Sequence, residues 1–349
     1  SCSLVGSEMC IRDRHYLGRI LKLLSDIASS HRSQALLTSH SPAILRRIDP
    51  ASVRHLRLDP NTHQTVASRI TLPKESDEAH KYIRQAVKAY PELYFARLVV
   101  LCEGDSEELI LPKLCDLADV PVDPSFISVV PLGGRHVNHF WRLLNESSIP
   151  YVTLLDLDRE RETGGWARIK YVIDQLLLIG KSKRELLKVI DDNAKTRVMS
   201  DETFAGMHEW DETNCGLLRG WLDRLETYNV FFSYPLDIDF SMLQRFPNAY
   251  HLAKSGRGPR IPDQQKDADG FQKRLRSACQ AVLKSEQSKG TSYTSDQMEA
   301  FIWYQHLFLG RGKPSTHILA LNEIKPTDLW EKAPKPLKRL IGRIQGMLK

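Results

Sequence analysis

The sequence predicts an α/β fold built on a mainly parallel sheet with helices on both faces. Two observations predict it. Three apolar runs, RLVVLCEG (97–104), FISVVPLGG (126–134) and YVTLLDLD (151–158), each end in glycine or acidic residues, and patterns of helical period lie between them. Parallel strands need a crossover of a dozen or more residues, usually a helix, and strand–helix–strand–helix–strand at this spacing provides two. A fourth apolar run, NVFFSY (229–234), adds another strand.

The elements follow in order. Residues 1–14 (SCSLVGSEMCIRDR) fit no period and resemble a translated sequencing-adapter tail, so native sequence is expected to start near His15. Leu17, Ile20, Leu21, Leu24 and Ile27 recur at helical spacing. In QALLTSHSPAIL, Ala35–Leu37 reads as a short buried strand, and Pro42 stops regular structure. Residues 53–58 and 65–70 alternate on either side of DPNTHQ, which predicts a hairpin. Residues 75–96 read as a polar connector helix. Residues 97–260 hold the predicted sheet. Ser106 is the expected N-cap of the helix SEELILPKLCDLA, and Glu107 and Glu108 suit its first turn. Residues from about 160 to 228 read as a charged helical insertion, GRGPRIPDQQKDADG (256–270) as a loop, and 261–349 as a basic helical region.

Composition narrows the class. The chain has 349 residues, 42% hydrophobic and 26% charged, which excludes collagen, low-complexity disorder and a small disulfide scaffold. No apolar run is long enough to span a bilayer and no secretory signal is evident, so a cytoplasmic protein without membrane contact is expected. The six cysteines form no C-x-x-C pair and no zinc spacing. The net charge is +6, unevenly distributed. Residues 1–96 carry 14 Lys+Arg against 9 Asp+Glu, residues 97–260 carry 20 against 25, and residues 261–349 carry 15 against 9. An acidic centre between basic flanks suits a metal site that works on a polyanion, and also suits ordinary solvated surfaces.

The acids sit where such sheets keep their sites, at the carboxyl ends of strands. Glu103 ends the first predicted strand, and Asp156 and Asp158 end the third. In an extended strand residues two apart share a face. Glu107 is one helical turn past Glu103. Four converging carboxylates repel one another unless a cation neutralises them, and such oxygen-rich sets suit magnesium or manganese. Two ions can activate a water and steady a leaving oxygen on a phosphodiester.

VLCEGDSEELILPKL followed by VTLLDLD resembles a TOPRIM domain, a Rossmann-like fold with Glu-Gly after its first strand and Asp-x-Asp after its third. The E-G-x-x-E-E form (Glu103–Glu108) resembles the overcoming-lysogenization-defect (OLD) nucleases in particular, which pair an ABC-type ATPase domain with the TOPRIM. QALLTSHSPAIL is similar to the switch-histidine loop of such ATPases, with His40 at the position that senses the γ-phosphate. The resemblance implies a metal-dependent DNA endonuclease. Glu103 would be metal ligand and general base. Glu107, Asp156 and Asp158 would hold two Mg2+ or Mn2+ ions, with Asp239 (of the second D-x-D, Asp237–Asp239) and Glu160 as outer ligands. Lys313, in LGRGKPSTHILAL, resembles the family's late lysine and would meet phosphate charge, while Arg257 and Arg260 would contact the DNA backbone. The family also implies ATP, homodimers and a role in phage defence, with an accessory defence partner.

Departures from the family pattern shape the expectation. The chain has no G-x-x-x-x-G-K-[ST] loop; Gly180-Lys181-Ser182 lacks the first glycine. Residues 15–74 are therefore expected to be the end of an ATPase domain, and the chain a truncated product that does not hydrolyse ATP alone. The alternatives are a non-catalytic DNA-binding or regulatory module, and other TOPRIM chemistry such as strand transfer or RNA processing.

Overall fold

The computed structural model describes residues 14–30, 33–59, 62–69, 88–133, 137–190, 196–252, 258–286, 288–309 and 312–349. The chain divides into two compact units, one of residues 1–99 with 136–150 and the other of residues 100–135 with 151–349.

The first unit contains the amphipathic helix Arg14–Ala28 and an antiparallel hairpin, β1 (Arg54–Leu58) with β2 (Thr65–Arg69), in which Arg54 faces Arg69 and Leu58 faces Thr65. His55 Nε2 lies 2.7 Å from the Tyr94 carbonyl, and Arg57 donates to the carbonyls of Ala96 and Arg97 at 3.1 Å. The hairpin is thereby tied to residues 94–97. Trp141 and Leu144, on the helix Val137–Glu146, are buried in this unit. Ala35–Leu37 departs from expectation. It is irregular, and Leu36 is 95% exposed. A strand needs a neighbour for its N–H and C=O groups, and among the described residues this segment has none. Most of the predicted connector helix lies in 70–87, outside the described residues.

The central sheet comprises β3 (Leu98–Cys102), β4 (Ile127–Pro131), β5 (Tyr151–Asp156) and, beyond a small antiparallel hairpin of β6 (Lys188–Ile190) and β7 (Thr196–Val198), β8 (Val230–Ser233). It is a four-stranded parallel sheet in the order β4-β3-β5-β8, with Asp156 of β5 opposite Ser233 of β8. All five residues of β3 are buried, which is why its sequence is a continuous apolar run instead of an alternating one. The hairpin corrects the all-helical reading of the insertion, whose main helices are Gly165–Leu178 and Cys215–Glu226.

The C-terminal helices, Ala268–Leu283, Ser295–Tyr304, Lys313–Glu323, Pro326–Lys332 and Lys335–Leu348, belong to the same unit as the carboxyl ends of these strands. Arg339 makes a bidentate pair with Glu226 at 2.7 Å, and Gln345 donates to the Ala118 carbonyl at 2.7 Å. The region read from sequence as a basic tail therefore packs on the fold, and its Lys313 and His317 reach Asp239. No helix among the described residues is long and apolar enough to cross a membrane.

Candidate functional site

The site forms where β3 and β5 end. The helix after β3 starts two residues earlier than the expected N-cap implies: it spans Asp105–Leu117, and Gly104, not Ser106, is its N-cap. Glu107 is therefore its third residue, and its Oε2 accepts from the Gly104 N–H at 3.0 Å, as in a capping box. Its other oxygen, Oε1, is buried without a hydrogen-bond partner. Burial first, then the charges of Asp239 and Glu103, push the Glu107 carboxyl up to about 8.

Glu103 Oε1 accepts from the Asp156 N–H at 3.0 Å, which joins the ends of β3 and β5. Burial raises Glu103 to about 7 even though Arg168 opposes it. Asp156 accepts from the Ile238 N–H at 3.2 Å, and burial together with Glu103 and Glu107 raises its pKa well above the usual range. Asp158 departs from the extended geometry expected for D-x-D. The strand ends at Asp156, and Asp158 turns to φ 55°. Both of its oxygens then meet guanidinium groups: Oδ1 accepts from Arg161 at 2.5 Å and Oδ2 from Arg168 at 3.1 Å. Arg168 also donates to Glu103 at 3.0 Å, so it bridges two of the predicted acids.

The second D-x-D forms the adjoining wall. Asp237 is the N-cap of the helix Ile238–Arg245, accepting from the Phe240 N–H at 2.9 Å, while its other oxygen accepts from the Tyr304 hydroxyl and faces Arg161 at 3.5 Å. Asp239 is buried in the first turn of that helix. Its Oδ1 meets His317 Nε2 at 2.8 Å and its Oδ2 lies 2.5 Å from Lys313 Nζ. Burial alone would raise Asp239; the hydrogen bond from His317 and the Lys313 charge outweigh it and hold the carboxyl below its ordinary value. Lys313 is raised in turn, because Asp239 and Asp237 overcome the effect of burial.

The structure thus brings together Glu103, Glu107, Asp156, Asp158, Asp239 and Lys313. It does not bring Glu160 to them. The Glu160 carboxylate accepts from the Gly290 and Ser292 N–H groups at 2.9 and 2.6 Å, and so anchors a loop instead of pointing at a shared cation. Arg260 and His40 are exposed, and Arg257 lies outside the described residues. Sequence reading missed Arg161, Arg168, Tyr250, Tyr304 and His317. One signal was available: His317 follows Lys313 by four residues, so a helix there puts both on one face.

The donor set suits a hard divalent cation. It is all carboxylate, it contains the orphaned buried oxygen of Glu107, and three of its acids are shifted toward the protonated form by burial and mutual repulsion. Among the described residues, however, no three His, Cys, Asp or Glu side chains already surround one point as ligands. Arginines and a lysine pair with Glu103, Asp158 and Asp239 instead.

Residues 94–158 match the family described as overcoming lysogenization defect protein-like, TOPRIM domain. Two curated proteins are similar. Endonuclease GajA of Bacillus cereus (strain HuB5-5) is 26% identical over 199 residues, 52% of this chain and 28% of that protein. Endonuclease GajA of Bacillus cereus (strain VD045) is 28% identical over 129 residues, 37% of this chain and 22% of that protein. The chain thus spans under a third of the length of these relatives. Among solved structures, the C-terminal region of the Burkholderia pseudomallei OLD protein aligns with a TM-score of 0.42 and 17% identity, covering 73% of this chain and all of that one. The corresponding region of the Xanthomonas campestris pv. campestris OLD protein aligns with a TM-score of 0.41 and 17% identity, covering 74% and 96%.

Proposed function

This chain belongs to the overcoming-lysogenization-defect family through its TOPRIM domain, and we propose on that premise that it is a metal-dependent DNA endonuclease. The observation that carries the proposal is the buried meeting of Glu103, Glu107 and Asp156 at the ends of β3 and β5, with Glu107 Oε1 unpartnered. These three would hold a magnesium or manganese ion. A second ion would need Asp158, whose oxygens Arg161 and Arg168 now hold, with Asp239 as an outer ligand. When bound, such ions supply charge neutralisation to the phosphodiester and lower the pKa of a water.

The remaining roles fall to the chain itself. Glu103, at the end of β3, would also be the group that takes a proton from an attacking water. The Lys313 ammonium, with its side chain 44% exposed, is placed to meet developing phosphate charge. Arg260 and the basic flanks would bind the DNA backbone, with affinity falling steeply with salt. Residues 15–74 would be ATPase-domain sequence with His40 as its switch residue, and ATP binding and homodimer formation are part of the same proposal. An accessory partner and a role in phage defence remain part of the same proposal, with the cytoplasm as its setting.

One observation favours a second reading. Both Asp158 oxygens are already neutralised by arginine, as in a domain that keeps the fold and binds DNA without cutting it. Incubating supercoiled plasmid with the protein and Mg2+ or Mn2+, beside a D156A/D158A variant, separates the two. Nicking by the unaltered chain alone supports the nuclease. No nicking by either favours the non-catalytic module, equal nicking by both marks a contaminant, and relaxed topoisomers without nicks indicate strand transfer.

A further inference from the structure

We propose that His317, backed by Tyr250, is a positioning residue that fixes the Asp239 carboxylate and through it the ammonium of Lys313. The role assigned to Lys313 rests on the nuclease reading; the anchoring itself does not.

The helix Lys313–Glu323 presents Lys313 and His317 one turn apart, and both reach the same carboxylate. Each takes a different oxygen, His317 Nε2 at 2.8 Å from Oδ1 and Lys313 Nζ at 2.5 Å from Oδ2. A hydrogen bond on one oxygen and an ion pair on the other oppose rotation of the carboxylate about its Cβ–Cγ bond. The histidine is fixed in turn. It is 0% exposed, and its Nδ1 lies 2.7 Å from the hydroxyl of Tyr250, itself fully buried. With Nε2–H donating to the carboxylate, Nδ1 is left to accept from the tyrosine, so the chain of hydrogen bonds has one direction, Tyr250 to His317 to Asp239. The rings of Tyr250 and Phe308 lie against the imidazole with centroids 5.6 and 5.2 Å away, which closes off other ring orientations.

This arrangement answers a need specific to lysine. Its charge sits on a flexible four-carbon stem with rotatable donors, and holding it in one place takes a fixed partner. Lys313 is partly exposed, so only the buried end of the interaction can be rigid. Asp239 provides that end, and the hydrogen bond from His317 holds it in place. A histidine serving only as hydrogen-bonded packing would affect folding without touching the reactivity of Lys313.

Competitive acetylation of the folded chain by acetic anhydride, read by mass spectrometry, tests the anchoring without any nuclease assay. Lys266, whose side chain is 85% exposed, serves as the internal reference. In the unaltered chain Lys313 should react about tenfold more slowly than Lys266. H317L should raise Lys313 labelling several-fold with other lysines unchanged, and H317Q, whose amide can still donate to Asp239, should restore slow labelling. Y250F, which removes one hydroxyl and keeps the ring, should give an intermediate rate. It carries the test if a thermal melt shows H317L unfolded. Lys313 labelling that stays at the starting level in a folded H317L, or in Y250F where H317L does not fold, overturns the proposal.

Plasmid nicking adds the second arm. H317L should lower kcat by about tenfold, as orienting partners in such sites do, with the KM for DNA unchanged and H317Q recovering most of the loss. In a K313M background H317L should cost nothing more, because the residue it acts through is gone; a further loss there would also count against the proposal. Absence of nicking by the unaltered chain would remove the nuclease reading and leave the labelling result standing.

Discussion

Arg168 donates to Glu103 at 3.0 Å with both side chains largely buried, and its second nitrogen donates to Asp158 at 3.1 Å. One guanidinium therefore does part of the neutralising that a divalent cation does in sites of this kind. Replacing it with methionine keeps the stem and removes the charge. The two carboxylates are then left without that partner, which for buried pairs costs about 3–5 kcal/mol and here less, because some solvent reaches the pair. R168M is expected to lower the melting temperature in EDTA and to bind Mn2+ more tightly, on the order of fivefold, since a competing charge is gone. Differential scanning fluorimetry and calorimetric titration with Mn2+ measure both. An unchanged Mn2+ affinity would show that Arg168 does not share the place of the cation.

Gly164 and Gly165 support the turn that carries Asp158. Gly165 N–H donates to the Leu157 carbonyl at 2.7 Å, and a Cβ at Gly164 would overlap the Asp158 carbonyl. Gly165 has φ +54°, where side chains are strained, and a Cβ there would also meet Glu212. G164A is expected to destabilise by about 1–3 kcal/mol, because the obstacle is backbone and cannot swing aside. Gly346 lies inside the last helix with open space around its Cα, so G346A is expected to stabilise by about 0.5–1 kcal/mol. Urea unfolding of the two variants beside the unaltered chain tests the contrast. A G164A chain as stable as its parent would mean that the turn can relax.

How much of this was legible in the sequence depended on the range of the interaction. β3, β4, β5 and β8 appeared as apolar runs because strands buried on both faces admit little else. Glu103 and Asp156 were read from strand ends and Glu107 from helical spacing, both local patterns. Asp158 was found but its geometry was not, since the φ 55° turn depends on the glycine pair and two arginines downstream. Arg168 lies in a segment that reads as a charged insertion, and nothing local marks it as a partner of Glu103, 65 residues earlier. His317 lies 78 residues from Asp239, and its burial is set by Tyr250 and Phe308 from other helices. Ala35–Leu37 failed for the opposite reason. An apolar triplet satisfies the local pattern for a strand, yet a strand exists only beside another.

Glu160 shows the same contrast and gives a third prediction. In the sequence it extends the acidic series to D-x-D-x-E; in the fold it tethers residues 288–292 through the Gly290 and Ser292 N–H groups, and the Ser288 hydroxyl donates to its carbonyl at 3.1 Å. E160A leaves two backbone donors without a charged acceptor, a loss of about 1.5–3 kcal/mol for each bond to an ionised group before water compensates. Limited proteolysis should then cut within 288–292 at least several times faster, while Mn2+ affinity stays within about twofold. A large loss of Mn2+ affinity with the loop still protected would return Glu160 to the ligand set.

The carboxyl shifts set how stability depends on pH. Glu103 titrates at about 7 and Glu107 at about 8 in the fold, against 4.5 for an ordinary glutamate, and Asp156 is shifted the same way. Between about pH 4.5 and 8 the folded chain therefore holds protons that the unfolded chain has released. Stability falls with rising pH wherever the folded state binds more protons, so the contribution is fully present below about pH 4.5 and is lost as pH passes through 7 to 8. Asp239 has the opposite sign, but its shift lies below the usual aspartate range and acts only in strong acid. In EDTA the melting temperature should decline from pH 5 to pH 8. A divalent cation must displace the same protons to bind, so the gain from Mn2+ should be small at pH 5 and largest at pH 8. E107Q removes the titration at about 8 and should flatten the EDTA profile above pH 7. Scanning fluorimetry at each pH, with EDTA and with Mn2+, measures all three, and a Mn2+ gain that is constant with pH would show that the cation binds away from these carboxylates.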